Sequence, residues 1–539
     1  MLIPIKRLPH LSPLFSDFFY DFGKVREFYG GDFRDPAAYE EQAEKVESRP
    51  LRRQNLAAIL AEQNKNYGCG PETLEQVEKL VRDRAGAVVT GQQVGLFSGP
   101  LYTIHKALTA VKLADDLSRR GWGSFVPVFW LASDDHDLAE IDHISLLNEE
   151  SRLEEVRCPM PSREGKVPAS GLVLPREIRD SVRKLEDLTM ATEFKADILA
   201  RLNEAYEPGR TYVEAFARWL TRLFKGWGLI FIDAADPRFK EMGKEVFDRE
   251  IRQDSPSTRR ALEASERLRR AGYGAQVPLH EGIFNLFYLD KERRAVQSKD
   301  DALIIRGMET AVGKEELLAR VKDRPSSFSP NVLLRPIYQD SLLPTVVYVG
   351  GQAEVDYFAQ LKGVYEEFGL PMPVIYPRKS VTLVEKKVAR ILEKFDLAIP
   401  DLWTRPDGLI AEIAKRQVPD DLEATLSRAR GGLAENLESL KAEVVAFEPT
   451  LGGSLDTARG KMDQQWEFLE KKIRQAAAKK SETAVRQLGK AAIDLYPNER
   501  LQERVFNIVP YLIKYGFAFL EKLDQAIDID EHDHQVLFL

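Results

Sequence analysis

Ser133, Asp134, Asp135, His136 and Asp137 place a hydroxyl, three carboxylates and an imidazole in five consecutive positions. They follow an apolar run, Phe125 to Ala132, that reads as a buried strand. Charge at the end of such a strand is costly unless it faces a wet cleft or coordinates something. With His143 or a water, these oxygen and nitrogen donors suit zinc, manganese or magnesium. Without a metal, the same groups can hold an amine or take its proton. A plain acidic turn is the third reading, and no residue is assigned as a metal ligand.

A second group lies upstream. Val88 to Thr90 is a short apolar strand leading into Gly91, Gln92, Gln93 and a stretch with further glycines at Gly95 and Gly99, which permits a tight turn and close approach of a ligand to the backbone. The spacing is neither the dinucleotide fingerprint nor a phosphate loop, because no Gly-Lys-Ser/Thr follows. After Pro100 a helix directs Leu101, Ile104, Leu108, Val111 and Leu117 to a core. That leaves Tyr102, His105 and Lys106 near its first turn, where Tyr102 and His105 share a face and can point at a phosphate.

The third group spans residues 325–385. Asn331 to Tyr338 leads to a polar turn. Thr345 to Val349 is a strand, Gly350-Gly351-Gln352 a turn, a helix starts near Glu354, and Pro373 to Tyr376 is another strand. This unit repeats the strand, glycine turn, helix, strand order of the first, so two half-sheets are expected to face each other. Glu354 can bind an ammonium group or cap its own helix. Arg335, Arg378 and Lys379 stand at strand ends, where their cations can hold phosphate or carboxylate.

The elements that position these groups define an α/β protein. Residues 1–85 read as mostly helical, with a helix start at Asp35-Pro36 and an amphipathic helix over 71–84. Residues 150–227 read as a helical insertion. Leu229 to Asp233 is a further strand, and 245–325 a second insertion that forms a small antiparallel cap, with a charged turn from Asp290 to Arg294 and with His280 and Asn285 as residues that could reach a substrate. Within 381–500, Leu422, Leu426, Ala429, Leu433, Leu437, Leu440 and Val444 form one heptad-like seam, and Leu451 to Ala476 a second, with a turn between them. This is a long helical hairpin, which cannot bury a broad face alone, so a homodimer through it is expected. The tail with His532, Asp533 and His534 reads as solvated.

Composition limits the rest. With 539 residues, 44% hydrophobic and 30% charged, the chain is a globular protein of several structural units. A net charge of −8 argues against nucleic acid as a partner. No apolar run approaches the roughly 18 residues of a membrane span, and no secretory leader is visible, so a cytoplasmic, membrane-free setting is expected. Two cysteines, Cys69 and Cys158, read as reduced structural thiols.

The motifs TGQQVGLFSGPLYTIHKA, PVFWLASDDHD, FSPNVLLRPIYQD, PTVVYVGGQAEVDYFAQL and NERLQERVFN, in this order, resemble the bacillithiol biosynthesis cysteine-adding enzyme family, the cysteine ligases. The resemblance covers essentially the whole chain. It implies a Rossmann-like, nucleotidyltransferase-type core with connective-peptide insertions, and a coiled coil through which the family dimerises. The corresponding organisation is 1–150 for the first core half, 151–227 for a helical insertion, 228–244 for a core strand, 245–325 for the cap, 326–390 for the second core half, 391–500 for the coiled coil and 501–539 for a closing helix and tail. The implied reaction joins cysteine to the amine of glucosaminyl-malate through an amide, the last step in making this low-molecular-weight thiol. Beside the His-x-Gly-His signature of class I aminoacyl-tRNA synthetases, Leu101 to His105 keeps the second histidine, and Pro377 to Ser380 lies where such enzymes carry a mobile lysine-serine loop.

Because a carboxylate does not acylate an amine at neutral pH, ATP is the expected activator. The reading gives the phosphates to His105 with Lys106 or Lys379. It gives the amine to Asp134, Asp135 or Asp137, with His136 as base, and the malate carboxylates to Arg335 or Arg378. Competing readings are a metal-dependent hydrolase at the acidic cluster and a nucleotide-binding coiled-coil scaffold.

Overall fold

The computed structural model describes residues 1–160, 167–290, 292–299, 302–307, 312–404, 406–416 and 421–539. Five strands form its central sheet: β1 (Gly86–Gln92), β2 (Phe125–Leu131), β3 (Ile230–Asp233), β4 (Thr345–Gly350) and β5 (Val374–Pro377). Their spatial order is β5-β4-β1-β2-β3, with every neighbouring pair parallel. The chain steps outward from β1 to β3 and then returns to the other side of β1. That reversal, between β1 and β4, opens a crevice beyond the carboxyl ends of the strands. All residues of β2 and β4 are buried, as expected where helices cover both faces of a parallel sheet.

Four helices border the crevice: α1 (Leu101–Arg119), α2 (Pro237–Arg252), α3 (Arg335–Leu342) and α4 (Gln352–Phe358). The expected pair of facing half-sheets is instead one continuous sheet, because β4 registers directly on β1, from Thr345 opposite Ala87 to Val349 opposite Thr90. Arg335, expected at a strand end, instead begins α3. The Asn331 side chain accepts the N–H groups of Leu333 and Leu334 at 2.9 and 3.1 Å, and Pro336 fits the first turn, so the chain enters α3.

The N-terminal segment carries helices Pro36–Glu47, Arg53–Tyr67 and Pro71–Arg82, the first capped by Asp35. The second insertion contains an antiparallel meander, Ile283–Leu289, Arg293–Lys299 and Ala302–Ile305, with Phe328–Pro330 on its edge. Lys291, in the charged turn expected there, lies outside the described residues. Both cysteines are free, and burial pushes the Cys158 thiol up to about 12. Among the described residues no helix is long and apolar enough to cross a membrane.

Residues 1–382 with 500–537 make one compact unit, and 383–499 with 538–539 a second. In the second, Leu422–Phe447 and Gly452–Leu495 form the expected antiparallel hairpin, with Lys441 on Asp456 at 2.6 Å and Arg459 on Glu438 at 2.8 Å. Leu440, Phe447, Met462, Phe468 and Leu469 are exposed on it.

The tail expected to be solvated is packed. Leu2 and Ile3 pair antiparallel with Gln535 and His534, and Asp533 accepts the Ile5 N–H at 3.1 Å. Its acidic, histidine-bearing composition concealed a short strand whose partner lies at the other end of the chain.

Candidate active site

A cavity of about 590 Å³ opens at the carboxyl ends of β1, β2 and β4. Gly91, Gln92 and Gln93 reach it from β1, and Ser133, Asp134 and Asp135 from β2. Gly351 and Glu354 line it at the start of α4, Tyr102 and Lys106 from α1, Arg335 from α3, and Arg378 just after β5. The fold thus brings together residues from all three sequence groups. Gly99, His105, His136, Asp137, Gly350 and Lys379 do not line it.

Lys106 is buried, and its ammonium is fully committed. It donates to Gly91 O at 2.8 Å and Gln92 Oε1 at 3.0 Å and forms an ion pair with Glu354 Oε2. An ammonium has three N–H donors, so none remains for a phosphate. Lys106 therefore ties the end of β1 to the start of α4. Glu354 also accepts the Gly351 N–H at 2.8 Å and the Tyr348 hydroxyl at 2.6 Å. Burial raises its proton affinity, but Lys106, Tyr348 and Gly351 outweigh that and hold it below the usual carboxylate range. Both sequence readings of Glu354 hold in part: it meets a cation and caps its helix, but the cation is the protein's own.

Arg335 donates to Gln339 Oε1 at 2.7 Å and to the Tyr357 and Tyr348 hydroxyls at 2.8 and 3.3 Å. Its planar fork is held in place with N–H groups to spare. Gln92 donates to the Tyr102 hydroxyl at 3.1 Å, and burial pushes that phenol up to about 12.

On the acidic wall, Asp134 pairs through Oδ2 with Lys240 of α2, which lies 5.1 Å from the centre of the Tyr338 ring. Its Oδ1 is buried with no hydrogen-bond partner among the described residues. Asp135 accepts from Gln93 Nε2 at 2.7 Å and from the His136 N–H at 2.7 Å, with Arg293 at 3.5 Å. His136 does not itself line the cavity but bonds a residue that does: its Nδ1 receives Arg293 at 3.1 Å, which places the ring proton on Nε2. Asp137 is exposed at the start of a short helix, and His143 pairs with Asp142 at 2.9 Å. Among the described residues no three His, Cys, Asp or Glu side chains converge as a metal site. Ser133 donates to Asp233, whose carboxyl burial pushes up to about 6.

The segment Glu503 to Asn507 completes the site from the far end of the chain. Glu503 is fully buried and receives His105 Nδ1 at 3.0 Å, Arg378 at 2.7 Å, the Ser380 hydroxyl at 2.8 Å and the Val381 N–H at 3.0 Å. Burial disfavours its charge, but Arg378 and His105 outweigh it and hold Glu503 well below the usual carboxylate range. The phosphate role expected of His105 is thereby corrected. It is 0% exposed, and burial lowers its proton affinity, so it supports Glu503 from inside the core. Lys379 is likewise buried and turned toward the tail, on Glu531 O and His532 Nδ1, both at 3.0 Å. Asn507 donates to Phe97 O at 3.0 Å and Gly99 O at 2.6 Å. These bonds fasten a loop in which Phe97, Ser98 and Gly99 all have positive φ. A Cβ on Gly95 would lie 2.9 Å from the Gly99 backbone, so this close crossing requires glycine. His280 is not on the cavity wall, and Asn285 is buried on Ser257, Thr258 and Asn331, so neither is a substrate contact.

His534 yields a pH prediction. Ser380 gives its proton to the Glu503 carboxylate, so its oxygen accepts from His534 Nδ1 at 2.8 Å, and Nε2 accepts from Thr382 at 2.8 Å. Burial of this neutral ring lowers its pKa from 6.5 to about 4. As pH falls, the unfolded chain takes up the proton first. The stabilisation is therefore full above pH 6.5 and is lost by about pH 4, amounting to about 3 kcal/mol. His534→Gln should flatten the fall in unfolding free energy across that window by about one proton, as denaturant titrations at successive pH values would show. An unchanged slope would refute the assignment.

Sequence reasoning missed Arg293, Lys240, Glu503 and Arg504. Glu503 and Arg504 lie within the NERLQERVFN motif, which carried a signal but no assignment. Arg293 sits in the second insertion and Lys240 in the helix after β3, both stretches where charged residues are common.

The profile for the bacillithiol biosynthesis BshC N-terminal Rossmann-like domain matches residues 2–379, and that for the BshC C-terminal coiled-coil domain matches 381–539. The chain belongs to the bacillithiol biosynthesis BshC family. A relative from Salinibacter ruber, named "Putative cysteine ligase BshC", is 37% identical over 99% of both chains. One of the same name from Koribacter versatilis is 35% identical over 98% of both. Among solved structures, Mycobacterium tuberculosis methionyl-tRNA synthetase in complex with methionyl-adenylate aligns over 81% of this chain and 91% of its own, at 12% identity and a TM-score of 0.21. Likeness at that level carries no functional weight.

Proposed function

We propose that the chain is a ligase of bacillithiol synthesis that joins the cysteine carboxyl to the amine of glucosaminyl-malate through an amide, with ATP as activator. The carrying observation is one cavity at the sheet's switch point with guanidinium N–H groups to spare on one wall and the carboxylates of Asp134 and Asp135 on the other. Anions and an ammonium can therefore bind side by side. The names of the BshC relatives agree with this chemistry.

ATP, when bound, supplies the phosphoryl or adenylyl group that turns a carboxylate oxygen into a leaving group. The arginine wall fits its phosphates. The chain's own residues do the rest. Asp134, with Asp135 beside it, holds the ammonium, and Arg335 and Arg378 receive the malate carboxylates in fork geometry. Asp135 takes the proton that frees the lone pair of the sugar amine, and the amine attacks the cysteine carbonyl carbon. The activated carbon–oxygen bond breaks with its electron pair leaving on the phosphate or AMP oxygen, and the remaining extra proton on nitrogen passes to water. Incubating the protein with cysteine, glucosaminyl-malate and ATP should give bacillithiol with AMP or ADP. AMP indicates adenylation and ADP acyl phosphate; no product under any condition overturns the reading.

Free cysteine and ATP as substrates suit the cytoplasm. The exposed apolar side chains of the hairpin are proposed to pair with a second copy. Sedimentation equilibrium should give the dimer mass, and Phe447→Ser with Met462→Ser should shift it toward monomer.

A further inference from the structure

Arg504 lines the cavity with no hydrogen bond or ion pair to its guanidinium among the described residues, although its neighbour in sequence, Glu503, is among the most heavily bonded side chains of the site. Arg378, on the same wall, spends one nitrogen on Glu503 and one on Lys379 O at 3.1 Å, which leaves N–H donors over. Its guanidinium lies 5.6 Å from the centre of the Tyr102 ring.

The charge balance on this wall is uneven. Lys106, Arg335, Arg378 and Arg504 meet three carboxylates: Lys106 already consumes Glu354, Arg378 pairs with Glu503, and Glu140 forms no ion pair with Arg504 among the described residues. His105 and His534, the histidines near Glu503, are both held toward their neutral forms by burial. Arg504 is open to solvent at the cavity, yet desolvation by its surroundings and the Arg378 charge both weaken its hold on its proton. Arg378 and Arg504 thus line one cavity, with the Glu503 carboxylate paired to Arg378. Such an arrangement is stabilised by an anion with several oxygens.

We infer that Arg504 and Arg378 form a two-guanidinium clamp for a multiply charged anion, with Glu503 as the positioning residue that aims Arg378. Dicarboxylates and oligophosphates share the chemistry that such a clamp recognises. In the proposed reaction these are the malate of one substrate and the phosphates of the other, so the inference deepens that reading, but it is tested by binding alone.

The test is calorimetric titration of the full-length protein with L-malate and, separately, with inorganic pyrophosphate. The wild type should bind at least one. Arg504→Ala should weaken that probe by about 10- to 100-fold, the value of charge-assisted hydrogen bonds. Arg504→Lys should recover only part, because an ammonium lacks the planar fork. Since the Arg504 guanidinium makes no bond among the described residues, the thermal midpoint of Arg504→Ala should match the wild type, which separates lost recognition from lost folding. Glu503→Gln should weaken the same probe through Arg378. Loss of malate binding alone assigns the clamp to the substrate carboxylates, and loss of pyrophosphate binding alone to the nucleotide. Wild-type affinity of Arg504→Ala for both probes, or no binding of either by the wild type, overturns the inference. Failure of the ligase reading would appear instead as absent turnover with binding intact.

Discussion

Replacing Glu354 by Gln is expected to cost about 3 kcal/mol of stability, near the lower end for breaking a buried ion pair, because it leaves the Lys106 ammonium in the core without its counter-charge. The side chains are 4% and 19% exposed, so the cavity relieves only part of the penalty. Glutamine keeps the shape and can still accept from Gly351 and Tyr348, so the loss isolates charge. The double variant Lys106→Met with Glu354→Leu should be less destabilised than the sum of its singles, since it removes both charges together. Denaturant unfolding of the four proteins completes the cycle, and additive losses would refute the pairing. Catalysis should fall along with stability, because this pair joins the start of α4 to the end of β1 at the cavity wall.

The second large effect belongs to Asp134. Asp134→Asn should reduce kcat/KM by about 30- to 1,000-fold, corresponding to loss of a charge-assisted bond to the ammonium of about 2–4 kcal/mol. Lys240 complicates the single variant, because it too is buried and would lose its partner. Adding Lys240→Met should restore stability without restoring activity. Steady-state kinetics within about threefold of the wild type for Asp134→Asn would remove the residue from the mechanism.

Much of this site was legible before the fold was known. Strands β1, β2, β3 and β5 are short apolar runs bounded by glycine, proline or charge, and the glycine turns before α1 and α4 indicated where polar groups gather. What the sequence could not supply was side-chain commitment. Lys106 and His105 stand on adjacent positions of one helix, both plausible phosphate contacts. Only Glu354 and Glu503, hundreds of residues away, decide that one closes the cavity wall and the other stays in the core. Arg335 was misplaced at a strand end because the turn that Asn331 closes on Leu333 and Leu334, just before α3, leaves no periodic signal. The tail was misread because its partner strand is the first few residues of the chain. Arg504 was passed over because one arginine in a charged helical segment carries no periodic signal.

The most direct test of the account follows an atom. If the cavity activates the cysteine carboxylate with ATP, one carboxylate oxygen must leave with the phosphoryl or adenylyl group when the amide forms. Cysteine labelled with oxygen-18 in both carboxylate positions, turned over with glucosaminyl-malate and ATP and analysed by mass spectrometry, should place one label in AMP or in inorganic phosphate and retain the other in the amide carbonyl. Amide product with no label in any phosphorus-containing product would contradict the account.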